Sequence, residues 1–429
     1  MKSIVAALSL FLLVTGCRNS PAPIIDPVFA DSLIKNYSST PSMQSADSNL
    51  LFWLRRMEAQ PENFVNGPKY AAALAARFRL YGDIRDLLKA DSLLQRSNDA
   101  NQGKEPDIWR SLVSFALLQH QFSRADSLLQ EATRIDGRNI ANTYFDFDIR
   151  FERGDYAKAS ALLNSLEKDR SYGYFFRRSK YEHYNGSLDS SISYMLQAAG
   201  KSDNNKHLLQ AALSNAADLH VHKGDMDAAN DLYIQSIRTD PADLHSVMGL
   251  GWIALVHDKK DSLAEKLFRL VQRFSKAPDV LLKFVQVAEN RNDTASQQKY
   301  AAEFVRITDS SSYGGMYSKY LIDLYTGIMH DPAKAVKIAE KDTYNRPTPQ
   351  VYAWYAWSLF CNGEPDKAYG IFKGYVSQKP LEALELYYMG KMMQGLNKGY
   401  NAQQFYKAAY KNRYDLSPAK IKDLEKNLE

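Results

Sequence analysis

The hexapeptide ADSLLQ stands at residues 90–95 and again at 125–130, 35 residues apart. A repeat of this spacing constrains the fold strongly, because it points to one supersecondary unit used again and again. From about Asp47 onward, apolar residues recur at three- and four-residue spacing. Short breaks such as YGD, ERGD, HKGD and CNGEPD separate these stretches. That is the pattern of short amphipathic helices joined by tight turns. No convincing alternation of apolar and polar residues appears, so the chain reads as all-α.

Residues 213–241, LSNAADLHVHKGDMDAANDLYIQSIRTDP, show the unit most fully. Leu213, Ala216 and Ala217, Gly224, Met226, Ala229, Tyr233, Ser236 and Pro241 fall at the positions of the tetratricopeptide repeat, which the segment resembles. Small residues let two helices approach closely, large ones fill the space between hairpins, and Gly224 permits the turn. The register recurs at Trp109, Leu112, Phe122, Ala125, Leu129 and Ala132, and again at Tyr352, Ala356, Leu359, Gly363, Ala368 and Phe372. Weaker copies lie around Ser191, Ala264, Ala295 and Ala335. From Ala90 to Ala402 the second-helix small residues average about 34.7 residues per step, against 34 for that repeat. The resemblance covers roughly residues 70–412. It implies a right-handed superhelical solenoid of about ten helix-turn-helix hairpins over residues 46–415, with a C-terminal capping helix at 416–429.

The N-terminus carries a different message. MKSIVAALSLFLLVTGC has one Lys, an apolar run from Ile4 to Val14, and small residues before Cys17. The run is short for a bilayer-spanning helix and fits a signal peptide. LVTGC resembles a bacterial lipobox, which implies cleavage after residue 16 and lipidation of Cys17. Pro, Ser and Asn dominate the following stretch, so residues 17–45 are expected to form the lipidated Cys and a flexible tether. With Cys17 lipidated only Cys361 remains, and its position on an apolar helix marks it as a buried structural thiol. Together these features suggest a tetratricopeptide-repeat lipoprotein of a Gram-negative bacterium, in the cell envelope, with the outer membrane as the default location.

Catalytic signatures are not found. GLGWIA at 249–254 matches a dinucleotide fingerprint in letters only, lying on a helix with no preceding strand. AAGKSDN lacks the first glycine of a phosphate loop. The eight histidines form no metal-ligand spacing; His220 and His222, two apart, point to different sides of a helix. The 54 basic and 49 acidic residues nearly balance, which gives no electrostatic case for nucleic acid. No enzyme activity, cofactor or metal is expected.

In the family resembled, first helices line a concave face that grips protein segments. Carrying the register over places Tyr144 with Asp148, Phe176, Lys180, Trp252, Tyr320, Trp357, Phe360, Tyr387 and Lys391 on that groove. The Lys-and-Asn carboxylate clamp of some members is not evident: Arg110 is followed by Ser114. The expected function is therefore a lipid-anchored envelope scaffold for an unidentified protein or peptide partner. The alternative is an oligosaccharide-binding lipoprotein of the starch-utilisation type, although those carry long insertions that this chain lacks room for. The DSL triplets at Asp31, Asp91, Asp126 and Asp261 resemble O-glycosylation acceptors of some Gram-negative bacteria, with Ser32 on the tether as the candidate.

Overall fold

The aspartates that follow the turn glycines act as helix starters. In YGD, ERGD and HKGD the Asp becomes an N-cap: Asp83, Asp155 and Asp225 each accept a hydrogen bond from a first-turn amide of the helix that follows. Alternating starts and stops of this kind produce hairpins. A computed structural model describes residues 22–396 and 401–429; the signal-peptide and Cys17 assignments lie outside the described residues. Helices α1 (Pro27–Asn36) and α2 (Pro41–Ala59) lead into ten hairpins. These are α3–α4 (Asn66–Tyr81, Ile84–Ala100), α5–α6 (Pro106–Leu118, Phe122–Asp136), α7–α8 (Ile140–Glu152, Tyr156–Ser165), α9–α10 (Tyr172–Tyr184, Leu188–Ala199) and α11–α12 (Lys206–Lys223, Met226–Thr239). They continue as α13–α14 (Leu244–Val256, Asp261–Phe274), α15–α16 (Asp279–Asn290, Thr294–Thr308), α17–α18 (Ser318–Thr326, Pro332–Asn345), α19–α20 (Pro349–Cys361, Pro365–Ile371) and α21–α22 (Ala383–Leu396, Ala402–Lys411). Helix α23 (Pro418–Leu428) ends the chain, and no strand occurs among the described residues.

Packing within the hairpins follows the small residues. Ala125, Ala159, Ser191, Ala229, Ala264, Ala335 and Ala368 are each the fourth residue of a second helix, and each has no solvent exposure. A larger side chain there would push the helices apart. Ala90 is equally buried but comes one turn later, because α4 starts a turn early. The copy assigned to Ala295 is misregistered: Ala295 is exposed, and Ala301 and Phe304 fill the α16 core position.

The aspartate of the repeated DSL ties neighbouring hairpins together. Asp91 accepts from Arg124 Nη2 at 2.8 Å, Asp126 from Arg150 Nη2 at 2.5 Å, and Asp261 from Asn290 Nδ2 at 2.9 Å. The adjoining Ser92, Ser127 and Ser262 face outward.

The expected tether needs correction from residue 24 onward. Ile24 and Ile25 donate their amides to the Asp258 carboxylate, each at 2.9 Å. Ile25, Ala30 and Met43 are buried, and the Tyr37 hydroxyl donates to the Pro241 carbonyl at 2.7 Å. The prolines read as extended chain are first-turn prolines: Asp26 and Thr40 cap helices that begin at Pro27 and Pro41. Ser32 consequently sits on a helix, exposed, rather than on a tether.

The solenoid coils until its early hairpins meet later ones. The Lys276 amide donates to the Tyr81 carbonyl at 2.6 Å, and Lys276 Nζ reaches Asp83 at 3.0 Å. The Gly315 amide donates to the Gln119 carbonyl at 3.0 Å, and Asn345 Nδ2 donates to the His120 carbonyl at 2.6 Å. Two glycines make this seam possible. A Cβ on Gly82, at φ 66°, would fall 2.6 Å from Ala277, and one on Gly314, at φ 57°, would fall 2.3 Å from the Gln119 oxygen.

Gly82→Ala should therefore lower stability by more than Gly186→Ala, whose glycine has φ 76° but an open neighbourhood. Both pay the left-handed penalty of about 1–2 kcal/mol, and only Gly82→Ala adds an overpacking cost of about 1–3 kcal/mol. Urea unfolding of the two variants measures the difference, and equal losses would mean that the seam bears no load.

Candidate functional site

Closure turns the concave side into two regions. One is a partly open chamber of about 920 Å³, lined by residues from α3, from α5 through α11, from α15, and from α17, α18, α19 and α21. The other is a groove occupied by the chain's own C-terminus.

At one wall of the chamber Glu152 ends α7 between two cations. It accepts from Lys180 Nζ and from Arg346 Nη2, the latter at 2.7 Å across the seam. Burial alone would raise its pKa, but Lys180 and Arg346 bring it down to about 2. His120, nearby and deeply enclosed, is pushed down to about 4 by burial and by Arg346, so it is neutral at pH 7. Asp342 rises to about 6 through burial, partly offset by Arg346.

The opposite wall is acidic. Trp354 Nε1 donates to Glu385 Oε1 at 2.8 Å, while Glu385 Oε2 has no protein partner. Burial, then the neighbouring Glu382, push the Glu385 pKa upward. Glu382 opens onto the chamber yet is ringed by protein. Its own burial penalty is outweighed by Lys319, His222, His183 and Arg346, which hold it below the usual carboxylate range. Tyr156 and Tyr184 stack at 3.7 Å between ring centroids on the chamber's edge.

Helix α23 follows the last hairpin, as a capping helix would, but lies across the concave face. Leu416 and Leu424 are fully buried there. Trp252 Nε1 donates to the Tyr414 carbonyl at 2.8 Å, and Lys283 Nζ lies 3.7 Å from the centre of the Trp252 ring. Burial lowers the Lys283 pKa to about 8. Asp423 accepts from the Tyr387 hydroxyl at 2.7 Å and from Lys391 Nζ at 3.0 Å. His222 Nδ1 meets Asp415 at 2.5 Å, where the chamber and the groove adjoin.

The predicted groove residues thus divide into three sets. Lys180 and Tyr320 line the chamber. Trp252, Tyr387 and Lys391 hold the C-terminal segment. Tyr144, Asp148, Trp357 and Phe360 pack between hairpins and Phe176 stacks on Tyr172 of its own helix: Arg177 lies over the Tyr144 ring and pairs with Asp148, and Trp357 Nε1 donates to Thr326 at 3.0 Å beside Phe360. Glu152, Arg346, Trp354, Glu382 and Glu385 went unnoticed in the sequence. Glu152 and Arg346, 194 residues apart, meet only through closure, whereas Trp354 and Glu385 meet across adjacent hairpins. Cys361 is partly buried, and burial lifts its thiol to about 12, which keeps it protonated. Among the described residues no cluster of three His, Cys, Asp or Glu could hold a metal ion, and no helix is long and apolar enough to cross a membrane.

Ten stacked hairpins, a fully buried small residue at the fourth position of seven second helices, and first helices facing inward define the architecture. The fold is a tetratricopeptide-repeat-like α-solenoid. No protein-family profile and no curated protein matches the chain. Solved structures similar to it include Pseudomonas aeruginosa PilF, 12% identical over 49% of this chain and 96% of that one, with a TM-score of 0.37. A tetratricopeptide repeat protein from Parabacteroides merdae is 14% identical over 60% of this chain and 98% of that one, with a TM-score of 0.35. The Cut9–Hcn1 complex of the APC/C is 14% identical over 81% and 64%, with a TM-score of 0.42.

The His222–Asp415 contact should make the C-terminal segment pH-sensitive. Burial opposes protonation of His222, but the Asp415 hydrogen bond and charge, aided by Glu382 and Asp218, raise its pKa from 6.5 to about 9. A folded pKa above the unfolded one stabilises fully below pH 6.5, and the contribution is lost as pH rises through about 9. Hydrogen exchange of residues 412–428, corrected for intrinsic rates, should quicken across that window. His222→Gln should abolish the pH dependence; an unchanged profile in that variant would refute the latch.

Proposed function

We propose that the protein is a lipid-anchored cell-envelope scaffold that takes a segment of a protein partner into its central chamber. The chamber supports this reading best: it is large and lined by aromatic rings and by charges of both signs. Glu385 Oε2 and Arg346 Nε are left without protein partners beside it, as in a polar site that a ligand completes. The lipobox-like LVTGC supports anchoring through Cys17, with the outer membrane as its destination. Docking of residues 24–45 onto the solenoid then leaves only a short linker, so the body would sit close to the membrane surface. The starch-utilisation alternative has no corresponding support, because connections between the described helices are short.

A photo-crosslinking amino acid placed at Tyr320 or Tyr184, in the chamber, should yield discrete protein adducts in cells. The same group at Tyr344, which is 77% exposed on the outside, should not. Adducts only from the outer position would sink the chamber reading. Separately, Cys17→Ser should move the protein from the membrane fraction to the soluble one; retention on the membrane would remove the anchor.

A further inference from the structure

We infer that the acidic wall of the chamber is a seat for an alkylammonium or guanidinium group, the end of a lysine- or arginine-like side chain, held by Glu385 and Glu382 beside Trp354. The inference rests on the chamber reading above and names what the chamber selects.

Three observations carry it. First, Glu385 belongs to the chamber lining yet is only 3% exposed, and one of its carboxylate oxygens is buried with no donor. The other oxygen is fixed by Trp354 Nε1 at 2.8 Å. The carboxylate is therefore oriented before any ligand arrives, and a ligand N–H would satisfy the empty position.

Second, the neighbouring cations Arg346 and His222 are already engaged. Arg346 is committed to Glu152 at 2.7 Å and His222 to Asp415 at 2.5 Å. Lys319 makes no ion pair with a carboxylate among the described residues, so it balances the two glutamates only at a distance. A cation seated between Glu382 and Glu385 would relieve the repulsion by which Glu382 pushes the Glu385 carboxyl upward, and would keep both ionised.

Third, the surroundings suit a cation with an aliphatic stem. Trp354 and Tyr320 both line the chamber, and aromatic faces attract ammonium and guanidinium groups. A volume of about 920 Å³ admits such a side chain with the few residues that flank it.

The indole N–H resonances of the five tryptophans provide the test, since that of Trp354 touches Glu385 directly. The full mature chain, ¹⁵N-labelled at tryptophan, is titrated with agmatine and with four capped Gly-Ser-X-Ser-Gly peptides in which X is Lys, Arg, norleucine or Glu. The expected result is a saturable shift of the Trp354 resonance, not of Trp53 or Trp109. The Lys and Arg peptides should bind at least tenfold more tightly than the norleucine peptide. Glu385→Gln should abolish that preference, and Glu382→Gln, whose side chain opens onto the chamber, should reduce it with folding intact.

A response to agmatine alone would uphold the cation seat and assign it to a small amine, against a peptide. Equal binding of all four peptides would overturn the charge assignment while leaving the chamber reading standing. No Trp354 response to any probe would overturn the inference, and the crosslinks from Tyr320 and Tyr184 then decide separately whether the chamber holds a partner.

Discussion

Closure of the superhelix depends on backbone meeting backbone. The Lys276 amide on the Tyr81 carbonyl and the Gly315 amide on the Gln119 carbonyl can form only if the two segments approach without side chains between them. Gly82 and Gly314 supply that approach at positive φ, a region an L side chain enters only with strain. A repeat solenoid is otherwise quasi-one-dimensional, each unit touching its neighbours alone. Here contacts between units far apart convert a spring into a ring-like body, and the inward face becomes an interior.

That change alters the chemistry of every charge on the inward face. Glu152, Arg346 and Lys180 would be ordinary surface ions on an open coil, worth little as pairs. Inside the seam they form a partly buried cluster, with Glu152 down to about 2 and His120 down to about 4. On the opposite wall the same enclosure leaves Glu385 with an unmatched oxygen. The C-terminal segment completes the interior by laying Tyr414, Asp415 and Asp423 on Trp252, His222 and Tyr387.

Much of the local structure was legible beforehand. The turn triplets became N-caps, and the small residues from Ala125 to Ala368 became hairpin contacts, because both act over three or four residues. Errors arose where a local cue had two meanings. Pro27 and Pro41 suggested extended chain, yet a proline preceded by Asp or Thr also opens a helix. Ala295 matched the period but faces solvent, since α16 packs through Ala301 and Phe304 instead. The DSL triplets suggested modification, while three of their aspartates bridge to the next hairpin.

By itself the sequence determined an all-helical chain with a period near 34 residues; the inward orientation of its first helices was implied by the family it resembles. Helix periodicity, capping and close helix approach are short-range effects, each written within one unit. Only the tertiary structure decided that the coil closes, that α23 lies in its groove, and that Glu152 meets Arg346. Those outcomes depend on small rotations between units accumulating over several hairpins, a sum that no single motif records.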